Sequence, residues 1–344
     1  MLKEDLPMKR ENLGMWLTIN RGCNMRCKWC YAATTKFEKN MTMDFEFAKE
    51  ILRFANELAI KRMVIIGGEP TIHPDIDRIV AECSKYAMRP TIVTNGIKYA
   101  DERFLQELID AGLSYTTLSL KAMNREEYKQ FTGVDRFDDF VSGLENVKKM
   151  HLPHRLTFTL TEFFDAESDA LIKVLKELSP MSIFVDVERP ELDETGQRFV
   201  GGNNIMVLAE KFEEMYMKLR ETDLNFGVGC YLPFCKLSSN VVETMIEDGR
   251  FGFGCHLIAG RSIIVEPNGN IIPCNHMCNI PLAKFGEDFS NADEYYKYRN
   301  SREYITLIQK MRCAPDEKCV QCKWWSMCGG SCRLRWMLPE SPLE

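Results

Sequence analysis

The 344-residue chain contains no run of 18 apolar residues, so no segment reads as a membrane span. Its opening, MLKEDLPMKRENLG, lacks the apolar stretch of a signal peptide, and a cytoplasmic protein is the expectation. Basic blocks are missing too: 44 Lys and Arg stand against 50 Asp and Glu, a net charge of -6, which argues against nucleic acid as the main partner. Histidine is sparse. The five residues, His73, His151, His154, His256 and His276, offer none at finger-like spacing after the first cysteines, which disfavours a zinc finger there. What the chain does hold is 45% hydrophobic residues, enough for a core in one large domain or two, and 14 cysteines. In a reducing compartment so many thiols point to metal ligation rather than disulfides.

The cysteines sort by position. Cys23, Cys27 and Cys30 lie together in GCNMRCKWCYA, Cys83, Cys230 and Cys235 are scattered, and Cys255, Cys274, Cys278, Cys313, Cys319, Cys322, Cys328 and Cys332 crowd the last 90 residues. Eight thiols match the ligand count of two four-cysteine clusters, whereas a lone cysteine is most often a small buried hydrophobe. The first group offers three thiols where a closed zinc site or a cubane cluster usually takes four.

Between these groups the chain repeats a strand-helix rhythm. Apolar runs MWLTIN, RMVIIGG, RPTIVTNG, YTTLSLKA, RLTFTLT and MSIFVDV recur from residue 15 to 187, separated by stretches of helical period. Phe47, Ile51, Phe54 and Leu58 mark one helix with Thr42 expected as its cap, Phe104 and Leu108 a second ending near Gly112, and Phe137, Phe140, Val141 and Leu144 a third. Thr117, Ser119 and Lys121 oppose Leu118 and Leu120, and Thr157, Thr159 and Thr161 oppose Leu156, Phe158 and Leu160. One polar face favours a curled sheet around a polar ligand over a flat sheet covered on both sides. The expectation is an α/β fold, a partial (β/α)6 TIM-like barrel followed by a small cysteine-rich domain with a β-hairpin. The expected boundaries are an extension over 1–14, the barrel over 15–225, a linker over 226–254 and the auxiliary domain over 255–344.

The first cysteine group follows the strand MWLTIN, and GGEPT, residues 67–71, follows RMVII, so both fall where barrel active sites gather. CNMRCKWC resembles the CxxxCxxC signature of radical S-adenosylmethionine (SAM) enzymes, and GGEP resembles their methionine-binding motif. The resemblance covers about residues 15–225 and implies a 4Fe-4S cluster on Cys23, Cys27 and Cys30, with SAM chelating the open iron. It further implies Trp29 near the adenine, Gly67, Gly68 and Glu69 at the methionyl amine, Ser119 near the carboxylate or ribose, and Asn95 at a strand end as a ligand contact or a turn residue. Lys121 departs from the family, whose members often carry Asp there. The implied chemistry is reductive cleavage of SAM to a 5'-deoxyadenosyl radical that takes hydrogen from a substrate.

A second resemblance lies in the tail. Cys255, Gly269, Cys274 and then Cys319-x2-Cys322-x5-Cys328-x3-Cys332 is similar to the SPASM extension, which in relatives holds two auxiliary 4Fe-4S clusters. By that likeness Cys255, Cys274 and Cys332 serve the inner cluster and Cys319, Cys322 and Cys328 the outer one. Relatives place one more cysteine after the CxxxC, but RLRWMLPESPLE here contains none, so Cys313 or Cys278 is expected to substitute, or one iron stays open. Asn275 follows Cys274 where sulfatase-maturing relatives carry a basic aspartate, which demotes that branch. The functional expectation is oxidative modification, crosslink or dehydrogenation, of a ribosomally made peptide. Its partners would be that peptide, a reductant such as flavodoxin or ferredoxin, and a separate leader-binding chain. The alternatives are radical oxidation or epimerisation of an aminoglycoside or sugar, and a zinc-binding interaction module. The acidic run 188–194 would suit a cationic substrate. Cys230 and Cys235 are the candidate catalytic thiols, as hydrogen donors to a substrate radical.

Overall fold

The computed structural model describes residues 13–32, 40–161, 168–192, 199–200, 204–252, 255, 262–278 and 280–337. The extension over 1–12 and His256 lie outside the described residues. The six expected strands form as β1 (Gly14–Thr18), β2 (Arg62–Ile66), β3 (Arg89–Thr94), β4 (Tyr115–Leu120), β5 (His154–Leu160) and β6 (Ile183–Val187). Between them run α1 (Phe45–Glu57), α2 (Ile76–Lys85), α3 (Glu102–Asp110), α4 (Arg125–Thr132), α5 (Phe137–Lys149) and α6 (Ser168–Leu178). All neighbouring pairs from β1 to β6 are parallel.

Local chemistry sets the helix ends. Asp44, not Thr42, caps α1: its carboxylate accepts from Glu46 N and Phe47 N, and a carboxylate is the better partner for those free amides. Thr42 instead bridges to Asn20 beside the first strand. Gly112 follows α3 at a φ of 106°, a left-handed turn that suits glycine. Leu156, Phe158 and Leu160 point into the apolar core under the helices while Arg155, Thr157 and Thr159 are half-buried on the opposite face, as the alternation requires.

The sheet does not stop at six strands. A short ladder, β7 (Glu191–Leu192) with β8 (Phe199–Val200), precedes α7 (Ile205–Arg220); the stretch expected as a linker then supplies β9 (Phe226–Gly229), α8 (Ser239–Asp248) and β10 (Phe251–Gly252). β9 pairs with β6 and β10 with β9, both parallel. At the other edge, β11 (Ser262–Val265) lies parallel to β1, and β12 (Asn270–Ile272) and β13 (Ala283–Lys284) continue antiparallel. The hairpin expected at Asn268-Gly269 is present, with Gly269 at a φ of 85°. The strand order is therefore β10-β9-β6-β5-β4-β3-β2-β1-β11-β12-β13, one sheet drawing on both barrel and tail. Among the described residues of the tail, four α-helices follow: α9 (Ala292–Arg299), α10 (Arg302–Arg312), α11 (Glu317–Val320) and α12 (Trp325–Cys328). Among the described residues no helix is long and apolar enough to cross a membrane.

Candidate active site at the carboxyl ends of the strands

The loop after β1 is held from two sides. On one, Gly68 N–H donates to Asn20 O (2.9 Å), Glu69 N–H to Gly22 O (2.8 Å) and Asn20 Nδ2 to Glu69 O (2.9 Å). A Cβ at position 67 would fall 2.0 Å from Asn20 Oδ1, and one at position 68 would fall 2.4 Å from Gly22 O. Both glycines are thus required by backbone lying directly on the cysteine loop. On the other side Arg26 N–H donates to Thr132 O (2.7 Å) and Lys28 N–H to Phe131 O (3.0 Å), fixing the loop to the end of α4. Trp29 packs edge-on against Phe131 at 5.6 Å.

Cys23, Cys27 and Cys30 come together in this loop, with Cys27 and Cys30 both near enough to raise the Cys23 thiol electrostatically. Burial is the larger effect and, with Glu69 adding to it, pushes Cys23 up to about 12. The Cys27 thiol is raised by burial and opposed by Lys121. Such thiols keep their protons until a metal displaces them. Three thiols from one short loop, beside backbone rather than a fourth side chain, fit a cluster with one open iron.

Glu69 is 2% exposed, and its carboxylate is already engaged. Carboxylate oxygens at this depth need donors, and Glu69 has four: Thr71 N (3.0 Å), Thr71 Oγ1 (2.6 Å) and Thr94 Oγ1 (2.6 Å) on Oε1, and Asn95 N (2.8 Å) on Oε2. This ties the ends of β2 and β3 together, a structural role beyond the expected contact with an amine. Asn95 likewise spends both ends of its amide locally, donating to Asn24 Oδ1 (2.7 Å) in the cysteine loop and accepting from Ile97 N (3.1 Å). Its place is a brace between β3 and the loop. Ser119 sits half-buried on the polar face of β4, in register with Thr157 of β5.

Across the same polar face lies a group that sequence reasoning passed over. Asp186 on β6 accepts from Arg189 (2.8 Å) and also feels Arg155 and Lys121. Arg189 stacks over Tyr231 at 4.2 Å, and its charge reaches Cys274 and Cys332. Arg155 stacks over Phe184 at 4.7 Å, and its Nε has no hydrogen-bond partner among the described residues. Their signal in the sequence was only the period-2 placement of Arg155 and Asp186 on strands whose other faces are apolar.

Cys255, Cys274 and Cys332 form a second set of mutually close thiols. Burial pushes Cys274 up to about 12, with Arg189 opposing; Cys332 is raised the same way, with Arg189 and Arg335 opposing. Arg335 is buried, donating to Tyr231 O (3.1 Å) and to Glu188 O, so the end of the tail is locked against β6 and β9. Glu188 itself is buried, and its acidic neighbours 193–194 lie outside the described residues. Cys319 on α11, Cys322 in the turn that follows and Cys328 at the end of α12 make a third set. Cys278 lies elsewhere, in an apolar cluster with Ile264, Ile272 and Trp16, and Cys313 is exposed with its thiol donating to Gln309 O (3.2 Å). Cys230 is buried, its thiol facing Leu232 O (3.6 Å), and Cys235 is exposed beside the third set. Among the described residues no three His, Cys, Asp or Glu side chains are gathered tightly enough for a single bare ion. A cluster of several irons spaces its thiolates more widely than one tetrahedral zinc, whose sulfurs stand about 3.8 Å apart.

A family profile described as the Radical SAM superfamily matches residues 17–178, from β1 through α6. Residues 17–178 form a radical SAM domain. Its cofactors are accordingly SAM and a 4Fe-4S cluster. Among curated relatives, a probable GTP 3',8-cyclase of Pyrococcus abyssi is 28% identical over 232 residues, 67% of this chain and 74% of that one. An Fe-coproporphyrin III synthase of Methanosarcina barkeri is 29% identical over 344 aligned positions, 92% of this chain and 82% of that one. Among solved structures, Streptococcus suis SuiB bound to precursor peptide SuiA superposes with a TM-score of 0.69 at 19% identity, over 94% of this chain and 72% of that one. This radical SAM enzyme therefore shares a fold with SuiB along nearly the whole chain, through both barrel and tail.

Proposed function

We propose that this enzyme removes two electrons from a carboxylate-bearing substrate held between its first and second thiol sets. The observation that carries the reading is the continuous run Cys27, Lys121, Asp186, Arg189, Cys274, each group within electrostatic reach of the next. When bound, the first cluster supplies the electron that splits SAM into methionine and a 5'-deoxyadenosyl radical able to take hydrogen from carbon. The chain's own residues then position and discriminate. Lys121, Arg155 and Arg189 outnumber Asp186 on the polar face, so an anionic group is drawn to it and a cationic one is not. Cys255, Cys274 and Cys332 would hold an auxiliary cluster there, placed to accept the second electron, and Cys319, Cys322 and Cys328 a further one.

A ribosomally made peptide with an acidic side chain is the first substrate class, supported by the fold shared with SuiB, whose structure holds a precursor peptide. A carboxylated porphyrin is the second, favoured by the cationic wall and by the relative named Fe-coproporphyrin III synthase, which matches across both parts of the chain. Anaerobically reconstituted protein with dithionite is expected to release 5'-deoxyadenosine, and the variant with Cys23, Cys27 and Cys30 all replaced by Ala to release none. Persisting cleavage in that variant overturns the reading of the first site. Product two mass units lighter than an acidic peptide supports the first class. Decarboxylation of a porphyrin propionate supports the second, and turnover of neither removes the carboxylate assignment.

A further inference from the structure

Cys319, Cys322 and Cys328 lie on consecutive short turns of the tail, where Cys322 N–H donates to Cys319 O (3.2 Å) and Cys328 N–H to Trp324 O (2.8 Å). Three thiols are in place there. The stretch between β9 and α8, far away in sequence, folds against them as a single helical turn at Phe234–Lys236. Phe234 N–H donates to the Cys328 sulfur, and Lys323 of the tail pairs with Glu243 of α8 at 3.5 Å. The next residue after Phe234 is Cys235, which lies within electrostatic reach of Cys319, Cys322 and Cys328, while Cys319 is within the same reach of Cys322 and Cys328. Of the six pairs that four thiols can make, five are therefore in mutual reach.

We infer that Cys235 is the fourth ligand of the outer site, completing with Cys319, Cys322 and Cys328 the donor set of a four-cysteine iron-sulfur cluster. The inference rests on the reading of the tail as a cluster domain. Each ligating thiol gives up its proton to solvent as its Fe–S bond forms, and no electron is transferred in the step. The two substitutes expected from the sequence are placed for other work. Cys313 caps α10 through Gln309 O, and Cys278 is packed among Ile264, Ile272 and Trp16. Cys230, though near Cys328, is buried in the barrel core with its thiol turned to Leu232 O. Cys235 also loses the role of hydrogen donor, since an exposed ligand beside the tail is not in the polar interior where a substrate radical would form.

The test is alkylation of the full chain by iodoacetamide, read by peptide mass spectrometry before and after iron chelation. Cys235 is exposed, so as a free thiol it would label in both states. The expected result is protection of Cys235 in the loaded protein and labelling after chelation, with Cys313 labelling in both. Equal labelling of Cys235 in both states overturns the inference. Independently, Cys235→Ala should lower iron from about twelve per chain toward eight, or change the paramagnetic resonance signal of one cluster, while Cys313→Ala changes neither. An unchanged Cys235→Ala protein in both measures overturns the inference. The double variant Cys319→Ala/Cys322→Ala separates the two layers of argument. If it loses iron while Cys235 of the loaded wild-type protein labels freely, only the fourth ligand is wrong; if it keeps all its iron, the tail reading fails and the inference with it.

Discussion

At the scale of single residues, the site depends on what is left out of it. Gly68 has no Cβ because the carbonyls of Arg21 and Gly22 occupy that space, and neither is the flexible end of a side chain. Gly68→Ala must therefore push the cysteine loop away from β2. The expected outcome is a folded protein, by circular dichroism, that loses the first site's share of iron and nearly all SAM cleavage. Glu69 was legible as a site residue through the GGEP motif, but its four internal donors were not, because Thr71, Thr94 and Asn95 reach it only once β2 and β3 are adjacent. Buried thiols add a pH dependence of known sign. Cys83 is fully buried and pushed from 9.0 up to about 12, so above pH 9 the unfolded chain loses this proton while the folded one keeps it. Apoprotein stability should fall as pH rises through that window, by at most about 1.4 kcal/mol per pH unit for one thiol. Urea midpoints of wild type and Cys83→Ala, compared on either side of the window, check it.

At the scale of elements, the loop after β1 and the strand β11 are joined by buried charge. Arg21 pairs with Glu266, both side chains 2% exposed, and Thr18 Oγ1 donates to Glu266 Oε1 (3.1 Å). Removing one partner strands the other in a low-dielectric site, which costs about 3–5 kcal/mol, whereas removing both costs far less. Glu266→Ala should lower the denaturation midpoint accordingly, and Arg21→Met/Glu266→Leu should recover most of the loss. The six strands and the helices α1, α3 and α5 could be read from periodicity, since each repeats its pattern within a dozen residues. The pairing of β11 with β1 could not. Nothing local in RSIIVEPNG distinguishes a free hairpin from one whose outer strand completes a distant sheet. The same limit hid the neighbours of Cys235, which the sequence offered only as a hydrogen donor alongside Cys230 and which in space lies beside the tail thiols.

At the scale of the whole molecule, barrel and tail share a sheet, a buried ion pair and the thiols around Arg189. Truncation before Ser262 would bare the hydrogen-bonding edge of β1, whose Met15 and Leu17 are fully buried in the core. Such a fragment is expected to aggregate, as read by light scattering of the soluble fraction, whereas a tail acting only as an attached module would leave a soluble barrel. The pairing Gly14 with Ser262 also fixes an order of events during synthesis. The first strand leaves the ribosome early, yet its second neighbour does not exist until three quarters of the chain has been made. For all that time one flank of the nascent sheet stands open. The interval favours a chaperone at the ribosome exit, and it means that the edge of β1, beside the loop of the first three thiols, is closed last.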